Sequence, residues 1–320
     1  MLRRDLVKAS IALATVVATC GCSAPGSARG LTVGLSYVPN VQFAPFYLAH
    51  QDKLFEERDL QVRLRHHGQQ EDLFGALLSG QEDIVFASAD EAMVAASQGR
   101  DLKIFATAYQ TYPIQIMSLE GRVARLGDLA GKRLGLPGRF GSNYYAALAA
   151  ISEAGLTTDE VELVDIGFTQ VQALTTGRVD AIVGFVNNEY TQLRAQKLQV
   201  TGVPVSDPQH PRLVGPSLVT RADVDIEWLK GVAHVMAEAE QRIQTDPEKG
   251  LAATARQVPA LADQNQRRNA SAVLEATSQL WLRNKQVSVE VDAGAIRRMG
   301  SFLQGAGIIK SVPEGLVQQL

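Results

Sequence analysis

Residues 83–108 read DIVFASADEAMVAASQGRDLKIFATA, and this stretch decides the fold. An apolar strand pattern at 83–87 is followed by a helical pattern at 91–98, which Gly99 ends, and a second strand pattern covers 102–108. A strand, a helix and a strand at this spacing are typical of a parallel sheet with helices packed on its faces.

The same alternation extends in both directions along the chain. A second set of strand and helix patterns covers residues 126–185, and residues 203–219 contain four prolines without a clear period. We interpret this proline-rich segment as a return to the first set of elements. The sequence therefore predicts an α/β fold of two lobes with doubly wound sheets and a hinge. Lobe 1 is expected to hold 31–118 and 215–320, and lobe 2 to hold 119–214.

The amino terminus has the features of an export signal. Arg3 and Arg4 precede a short apolar stretch at 11–19, and small residues lead to Cys22. We interpret residues 1–22 as a signal whose Cys22 becomes lipid-acylated, and 23–30 as a flexible tether. Twin-arginine and general export both remain open. The chain is therefore expected on the extracytoplasmic side of the cell membrane, held by a lipid anchor.

Composition excludes several classes of function. The chain of 320 residues is 46% hydrophobic and 20% charged, and its net charge of −3 gives no basic footprint for nucleic acid. Both cysteines, Cys20 and Cys22, lie in the predicted signal, so the remainder has no thiol nucleophile and no disulfide. The adjacent His66 and His67 fall on a predicted strand and point to opposite faces, which argues against a shared metal ion.

Ligands of open α/β sheets bind at the carboxyl ends of the strands, so the residues that follow each strand are the candidates for a binding site. Aromatic rings there can stack on a flat ligand, and the glycine loop GRFGSN at 138–143 can hold an anionic or carbonyl group on free N–H groups. That loop lacks the ending of a phosphate-binding P-loop. The predicted ligand-binding residues are Tyr37, Asn40, Ser88, Tyr109, Phe140, Gly141, Ser142, Asn187, Asn188 and Glu189.

Several of these segments resemble one family. YVPN at 37–40, FAPFYLA at 43–49, KRLGLP at 132–137 and VDAIVGFVNNE at 179–189 are similar to segments of the thiamine-pyrimidine-precursor-binding proteins. Relatives of that family bind sulfonates, taurine and nitrate, and AYQTYP at 108–113 resembles a riboflavin-binding branch. Tyr37 stands where the family often has tryptophan, which keeps an aromatic face but changes its size.

The resemblance implies a periplasmic-binding-protein fold and a solute-binding protein of an ABC importer, with its permease and ATPase as partners and no cofactor. The first ligand expected is a thiamine-type aminopyrimidine, whose amino edge can donate two hydrogen bonds to Glu189, and the alternative is riboflavin. The alternative role of Glu189, less favoured than ligand binding, is to stabilise the start of a helix, and Asn40 can cap a turn as well as contact the ligand.

Two other functions compete with solute binding. Pyrimidine synthases of thiamine biosynthesis have a similar fold and carry pyridoxal phosphate on a lysine, but the export signal argues against a cytosolic cofactor. A sensory ligand-binding lobe would need a membrane-spanning output segment, and no segment after the signal is long and apolar enough. We therefore expect binding without catalysis.

Overall fold

The computed structural model describes residues 30–68, 71–208 and 210–320. The predicted signal, its Cys22 and nearly all of the tether lie outside the described residues. Within the described part, no helix is both long and apolar enough to cross a bilayer.

Twelve strands and ten α-helices, with short 3-10 turns between some of them, make up the described chain. The strands are β1 Leu31–Leu35, β2 Val62–His66, β3 Ile84–Ser88, β4 Lys103–Thr107, β5 Ile114–Leu119, β6 Arg133–Leu136, β7 Glu162–Asp165, β8 Ala181–Phe185, β9 Val200–Pro204, β10 Pro216–Thr220, β11 Leu282–Arg283 and β12 Gln286–Val287. The helices are α1 Ala44–Gln51, α2 Gly75–Leu78, α3 Ala89–Ser97, α4 Gly141–Glu153, α5 Gln170–Thr175, α6 Thr191–Ala195, α7 Ile226–Thr245, α8 Pro247–Gln257, α9 Gln264–Leu280 and α10 Ala293–Gly305.

The strands form two five-stranded sheets of the same design. The first sheet has the order β2-β1-β3-β10-β4 and the second has the order β7-β6-β8-β5-β9. In each sheet four strands run in one direction, and the fourth strand in the order runs against them. The opposed strand is β10 in the first sheet and β5 in the second sheet. Each is the strand that the chain forms directly after it crosses from one lobe to the other. The two-lobed α/β architecture predicted from the alternation of patterns is present.

The crossings lie at 108–113 and 205–215, between β4 and β5 and between β9 and β10. The predicted boundary near residue 118 falls inside β5, whose whole length pairs in the second sheet. The proline-rich segment does carry the chain back, since β10 pairs with β3 and β4 of the first sheet. The bounds of the two lobes as separately moving units stay a prediction.

The core of the first lobe is built on aromatic and aliphatic side chains from β1, β3 and the helices packed on them. Phe86 of β3 meets Phe43 and Phe46 edge-on, with ring centroids 5.7 and 5.5 Å apart. Such edge-to-face pairs stabilise the fold beyond the burial of their area. Helix α1 packs against α7 and α8, and the buried Trp281 completes this core at the end of α9.

Helices begin at the carboxyl ends of the strands with almost no intervening loop. Helix α3 starts at Ala89, directly after Ser88 of β3, and a π-helical turn at Val186–Tyr190 starts directly after β8. Since β3 belongs to the first sheet and β8 to the second, each sheet has a helical turn that starts directly at the carboxyl end of one of its strands. Single π-helical turns occur most often at functional sites.

Candidate functional site

A cleft of about 880 Å³ lies between the carboxyl ends of the two sheets. Residues that follow β1, β2 and β3 line it on one side, and residues that follow β6, β7 and β8 line it on the other. The cleft therefore lies where sequence reasoning expected it. The predicted residues that line it are Tyr37, Asn40, Ser88, Phe140, Ser142, Asn187, Asn188 and Glu189.

Two predicted residues lie elsewhere. Tyr109 is only 3% exposed and does not line the cleft, because its ring packs against Phe86 with centroids 6.1 Å apart in the aromatic core. A tyrosine after a strand can turn inward when the core needs a large side chain, and Tyr109 does so. Gly141 is also absent from the cleft surface, but it allows a close approach between the lobes, since a Cβ there would lie 2.8 Å from Glu91 Oε1.

Asn40 caps a turn and lines the cleft at once. Its side-chain oxygen accepts a hydrogen bond from the Gln42 N–H at 3.3 Å, and its own N–H donates to the Tyr47 hydroxyl at the same distance. The turn is the 3-10 helix Val41–Phe43, which leads into α1. The capping bond uses the oxygen and leaves the amide NH₂ group as the part of Asn40 that can serve a ligand.

Glu189 is 8% exposed, and hydrogen bonds within its own segment engage both of its carboxyl oxygens. The Phe185 N–H donates to Oε2 at 2.7 Å, and the Asn188 amide donates to Oε1 at 2.7 Å. Burial raises the pKa of this carboxyl, although these donors act in the opposite direction. Glu189 thus stabilises the start of the π-helical turn, the alternative role considered from its sequence.

Two hydrogen bonds join the lobes on opposite sides of the cleft. The Asn187 amide donates to Thr277 Oγ1 of α9 at 2.9 Å. The Ser142 hydroxyl, in the first turn of α4, donates to Asp90 Oδ1 of α3 at 2.6 Å. These bonds join the two lobes across the cleft within the described structure.

Asp90 and Glu91 form an acidic pair where α3 meets α4. Tyr112, from the crossing between β4 and β5, donates to Asp90 Oδ2 at 3.0 Å. Burial raises the pKa of Asp90 to about 6. Burial, and then the charge of Asp90, raises the pKa of Glu91 to about 8, so near neutral pH the pair carries less negative charge than two carboxylates in water.

Two exposed phenylalanines stand at the rim of the cleft. Phe140 precedes α4 and is 62% exposed, and Phe168 precedes α5 and is 65% exposed. Exposing a large apolar ring to water is unfavourable. Two such rings at one rim therefore indicate that they contact a bound molecule. Both belong to the second lobe, where they can cover a flat molecule that enters the cleft.

The charges of the cleft are all acidic. Among the described residues, its lining includes Glu71, Glu91 and Glu189 but neither lysine nor arginine. The negative charge of Glu71 is paired with the guanidinium of Arg65 at 2.6 Å. Arg65 also forms an ion pair with the buried Glu82 at 2.6 Å. Amide side chains supply most of the remaining polar surface, among them Gln42, Asn143, Gln170, Gln172, Gln192 and Gln196. This lining suits an uncharged ligand with several hydrogen-bonding groups.

Sequence reasoning missed Phe168, Glu91 and His67 as cleft residues. Glu91 lies three residues after β3 and Phe168 three residues after β7, so the strand-end rule could have found them. His67 was considered only as a metal ligand, and in the structure its Nε2 lies 3.0 Å from Glu82 Oε1. No group of three or more histidine, cysteine, aspartate or glutamate side chains in the described part of the chain is arranged to hold a metal ion.

An α/β protein of two lobes, with a cleft between the carboxyl ends of its sheets, has the periplasmic-binding-protein fold. The aliphatic sulphonate-binding protein SsuA of Escherichia coli has this fold and superimposes with a TM-score of 0.71 at 15% identity, over 89% of this chain and 90% of that one. The model of the NMT1/THI5-like family matches residues 40–248, and the chain belongs to that family.

Among the curated proteins to which the chain is similar, two are named as binding proteins and one as a synthase. The riboflavin-binding protein RibY of Chloroflexus aurantiacus is 33% identical over 180 residues, which are 55% of this chain and 51% of that protein. The formylaminopyrimidine-binding protein of Halalkalibacterium halodurans is 26% identical over 164 residues, 51% of this chain and 49% of that one. A Legionella pneumophila protein named 4-amino-5-hydroxymethyl-2-methylpyrimidine phosphate synthase is 23% identical over 164 residues, 51% of each chain. The chain thus spans about half the length of the curated relatives it matches.

Proposed function

We propose that this chain is the solute-binding component of an ABC importer and that its ligand is riboflavin or a flavin of the same charge and size. The observation that carries the proposal is the cleft itself, which has about 880 Å³ of space, two exposed phenylalanines at its rim and no cationic lining among the described residues. Binding sites for drug-sized molecules occupy roughly 300–1,000 Å³, and this cleft is near the upper end.

Size and charge support riboflavin over an aminopyrimidine. A single pyrimidine ring leaves most of the cleft to water, whereas a three-ring flavin with a polyhydroxyl chain can reach both the phenylalanine rim and the amide side chains. Riboflavin is uncharged, and so needs no cation. The uracil-like edge of a flavin presents two acceptors around one donor, and the NH₂ group of Asn40, which its capping bond leaves free, can donate to one of those acceptors. The similarity to RibY adds to this ranking.

The acidic side chains keep a thiamine-type aminopyrimidine as the second candidate. An amino group beside a ring nitrogen can share a proton with a carboxylate, and Glu189 lines the cleft. Each oxygen of Glu189 accepts one internal hydrogen bond and retains capacity for another. The argument for the aminopyrimidine therefore depends on Glu189. The argument for riboflavin depends on the two phenylalanines at the rim and on the volume of the cleft.

Calorimetric titration with riboflavin and with 4-amino-5-hydroxymethyl-2-methylpyrimidine tests the proposal. Wild type is expected to bind riboflavin at least tenfold more tightly than the aminopyrimidine. Glu189→Gln keeps the shape of the side chain and removes its charge. This substitution should weaken the binding of the aminopyrimidine by about 1.5–3 kcal/mol if that ligand forms hydrogen bonds to the carboxylate. The binding of riboflavin should weaken by less. Tight aminopyrimidine binding with no riboflavin binding would reverse the ranking, and binding of neither would refute both ligands.

We further propose that the chain catalyses nothing, works outside the cytoplasm and delivers its ligand to a permease driven by an ATPase. The periplasmic-binding fold and the export pattern before residue 23 support this location. Arg3, Arg4 and Cys22 carry that pattern, and they also support a lipid anchor at Cys22.

A further inference from the structure

Helix α4 begins at the cleft, at Gly141, and runs for 13 residues away from it. The first N–H groups of an α-helix lack partners within the helix, and its dipole places partial positive charge there. A sulfonate, phosphate or carboxylate group is therefore stabilised at such a position when nothing else occupies it. In a binding protein, a helix start that opens into the ligand cleft decides whether anionic ligands are accepted.

The protein's own carboxyl group already lies at the start of α4. Glu91 comes from α3 of the other lobe and lines the cleft. Its Oε1 lies 2.8 Å from the position that a Cβ on Gly141 would take, and Gly141 has a φ of +64°. Burial and the charge of Asp90 raise the pKa of Glu91, and the backbone N–H groups of Ser88 and Ser142 act against that rise. Only glycine at 141 leaves room for the carboxyl to approach this closely.

The neighbouring Asp90 fixes this arrangement. The Ser142 hydroxyl donates to Asp90 Oδ1 at 2.6 Å, which ties the first turn of α4 to the first turn of α3. An anionic group placed at the start of α4 would meet Glu91 at contact distance. It would find no lysine or arginine among the described residues that line the cleft. The Glu91 carboxyl fills the position that the anionic group needs, so the two cannot occupy the start of α4 together.

We propose that Glu91 is a specificity-determining residue, whose carboxyl takes the place of a ligand's anionic group at the start of α4 and restricts the cleft to uncharged ligands. This inference rests on the proposed solute-binding function. It deepens that function by naming the class of ligand that is rejected, namely sulfonates and phosphorylated molecules. It also assigns the rejection to one side chain.

Removing the carboxyl should turn the cleft into an anion-binding site. The probes are ethanesulfonate and riboflavin 5′-phosphate, titrated calorimetrically into wild type, Glu91→Ser and Glu91→Gln. Wild type is expected to bind ethanesulfonate too weakly to measure. Glu91→Ser, which empties the position, should gain at least tenfold in affinity for at least one of the two anions. Glu91→Gln should gain less, since its amide still fills the space, and it preserves the packing if the serine variant does not fold.

Glu189→Gln is the matched control, because it removes one carboxyl charge from the same cleft without opening α4. It should gain no affinity for either anion. The proposal is overturned if folded Glu91 variants gain nothing, or if Glu189→Gln gains as much as they do. Riboflavin binding by wild type is a separate measurement. If wild type does not bind riboflavin, the proposed ligand is wrong, but the anion experiment can still be interpreted.

Discussion

Single side chains at the cleft perform a structural task and face the ligand space as well. Asn40 caps the turn before α1, and Glu189 holds the π-helical turn after β8. Truncating such residues to alanine would disturb the local backbone, so a loss of binding in alanine variants would have two causes. Phe140 and Phe168 are different, because their exposed rings contribute little to the fold.

The two rim phenylalanines therefore give the cleanest test of ligand stacking. Phe140→Ala and Phe168→Ala should each weaken riboflavin binding by about 1.5–3 kcal/mol, the value of burying one such side chain, or roughly 10- to 100-fold. Their thermal unfolding midpoints should stay close to that of wild type. Quenching of flavin fluorescence measures the affinity. Ile226→Ala, an exposed apolar residue away from the cleft, is the control, and unchanged affinity in both phenylalanine variants would contradict stacking at the rim.

The strand-end rule predicted many residues that line the cleft, because it depends only on where strands stop. It could not tell which way each side chain turns. Tyr109 follows β4 as Tyr37 follows β1, but Tyr109 packs onto Phe86 because the first lobe has an aromatic core to fill. The role of Glu189 was equally undecidable, since its partner is a backbone N–H four residues earlier, in Phe185.

At the scale of elements, the cleft is governed by the contact between the first turns of α3 and α4. Two acidic side chains from α3, Asp90 and Glu91, meet Gly141 and Ser142 there. Burial raises the pKa of Asp90 to about 6, and burial with the Asp90 charge raises the pKa of Glu91 to about 8. The folded state therefore holds more protons on this pair than the unfolded state does between about pH 4 and 8.

This pair should make the folded protein less stable as pH rises. An acid whose pKa is raised by folding contributes stability that is lost above its unfolded pKa, here on the order of a few kcal/mol for the pair between pH 5 and 8. His66 acts in the opposite direction, because burial lowers its pKa. Urea unfolding of wild type and Glu91→Gln at several pH values separates the two. The variant should lose less stability across this range, and parallel curves would contradict the prediction.

The order of elements was predictable from the alternation of patterns, but the pairing of strands was not. The proline-rich return predicted that the chain goes back to the first lobe. It gave no sign that β10 would insert between β3 and β4 rather than add at the edge. The start of β5 was likewise hidden, since residues 114–119 are as apolar as the strand that precedes them.

At the scale of the whole molecule, few side-chain hydrogen bonds join the two lobes across the cleft. The Ser142–Asp90 and Asn187–Thr277 hydrogen bonds join the lobes, and single hydrogen bonds contribute only about 0.5–3 kcal/mol each. A ligand that contacts both lobes contributes its binding free energy fully only when the lobes are closed, so it shifts the population toward the closed state.

Small-angle scattering should therefore detect compaction when riboflavin saturates the protein. The radius of gyration is expected to fall on addition of ligand, and the lobes would move about the crossings at 108–113 and 205–215. A variant with both Phe140→Ala and Phe168→Ala is the control, because it should need far more ligand for the same change. Identical profiles at saturation in wild type would contradict hinge closure.

The proposed lipid anchor at Cys22 would hold the whole protein at the membrane. If the lipid is attached there, Cys22→Ser expressed with its leader should move from the membrane fraction to the soluble fraction, because one missing acyl anchor removes the attachment. Cys20→Ser is the matched control and should remain with the membrane. Immunoblotting of the two fractions measures the distribution, and an unchanged distribution of Cys22→Ser would refute the anchor.

The insertion of β10 between β3 and β4 also has a consequence for the order of assembly. The second sheet is made from one uninterrupted run of chain, 114–204, and can form as soon as that run is available. The first sheet cannot, since β4 has no neighbour until residues 216–220 arrive. Pairings between distant parts of a chain form slowly. During synthesis from the amino terminus, the half of the protein that is made first is therefore the half that is finished last.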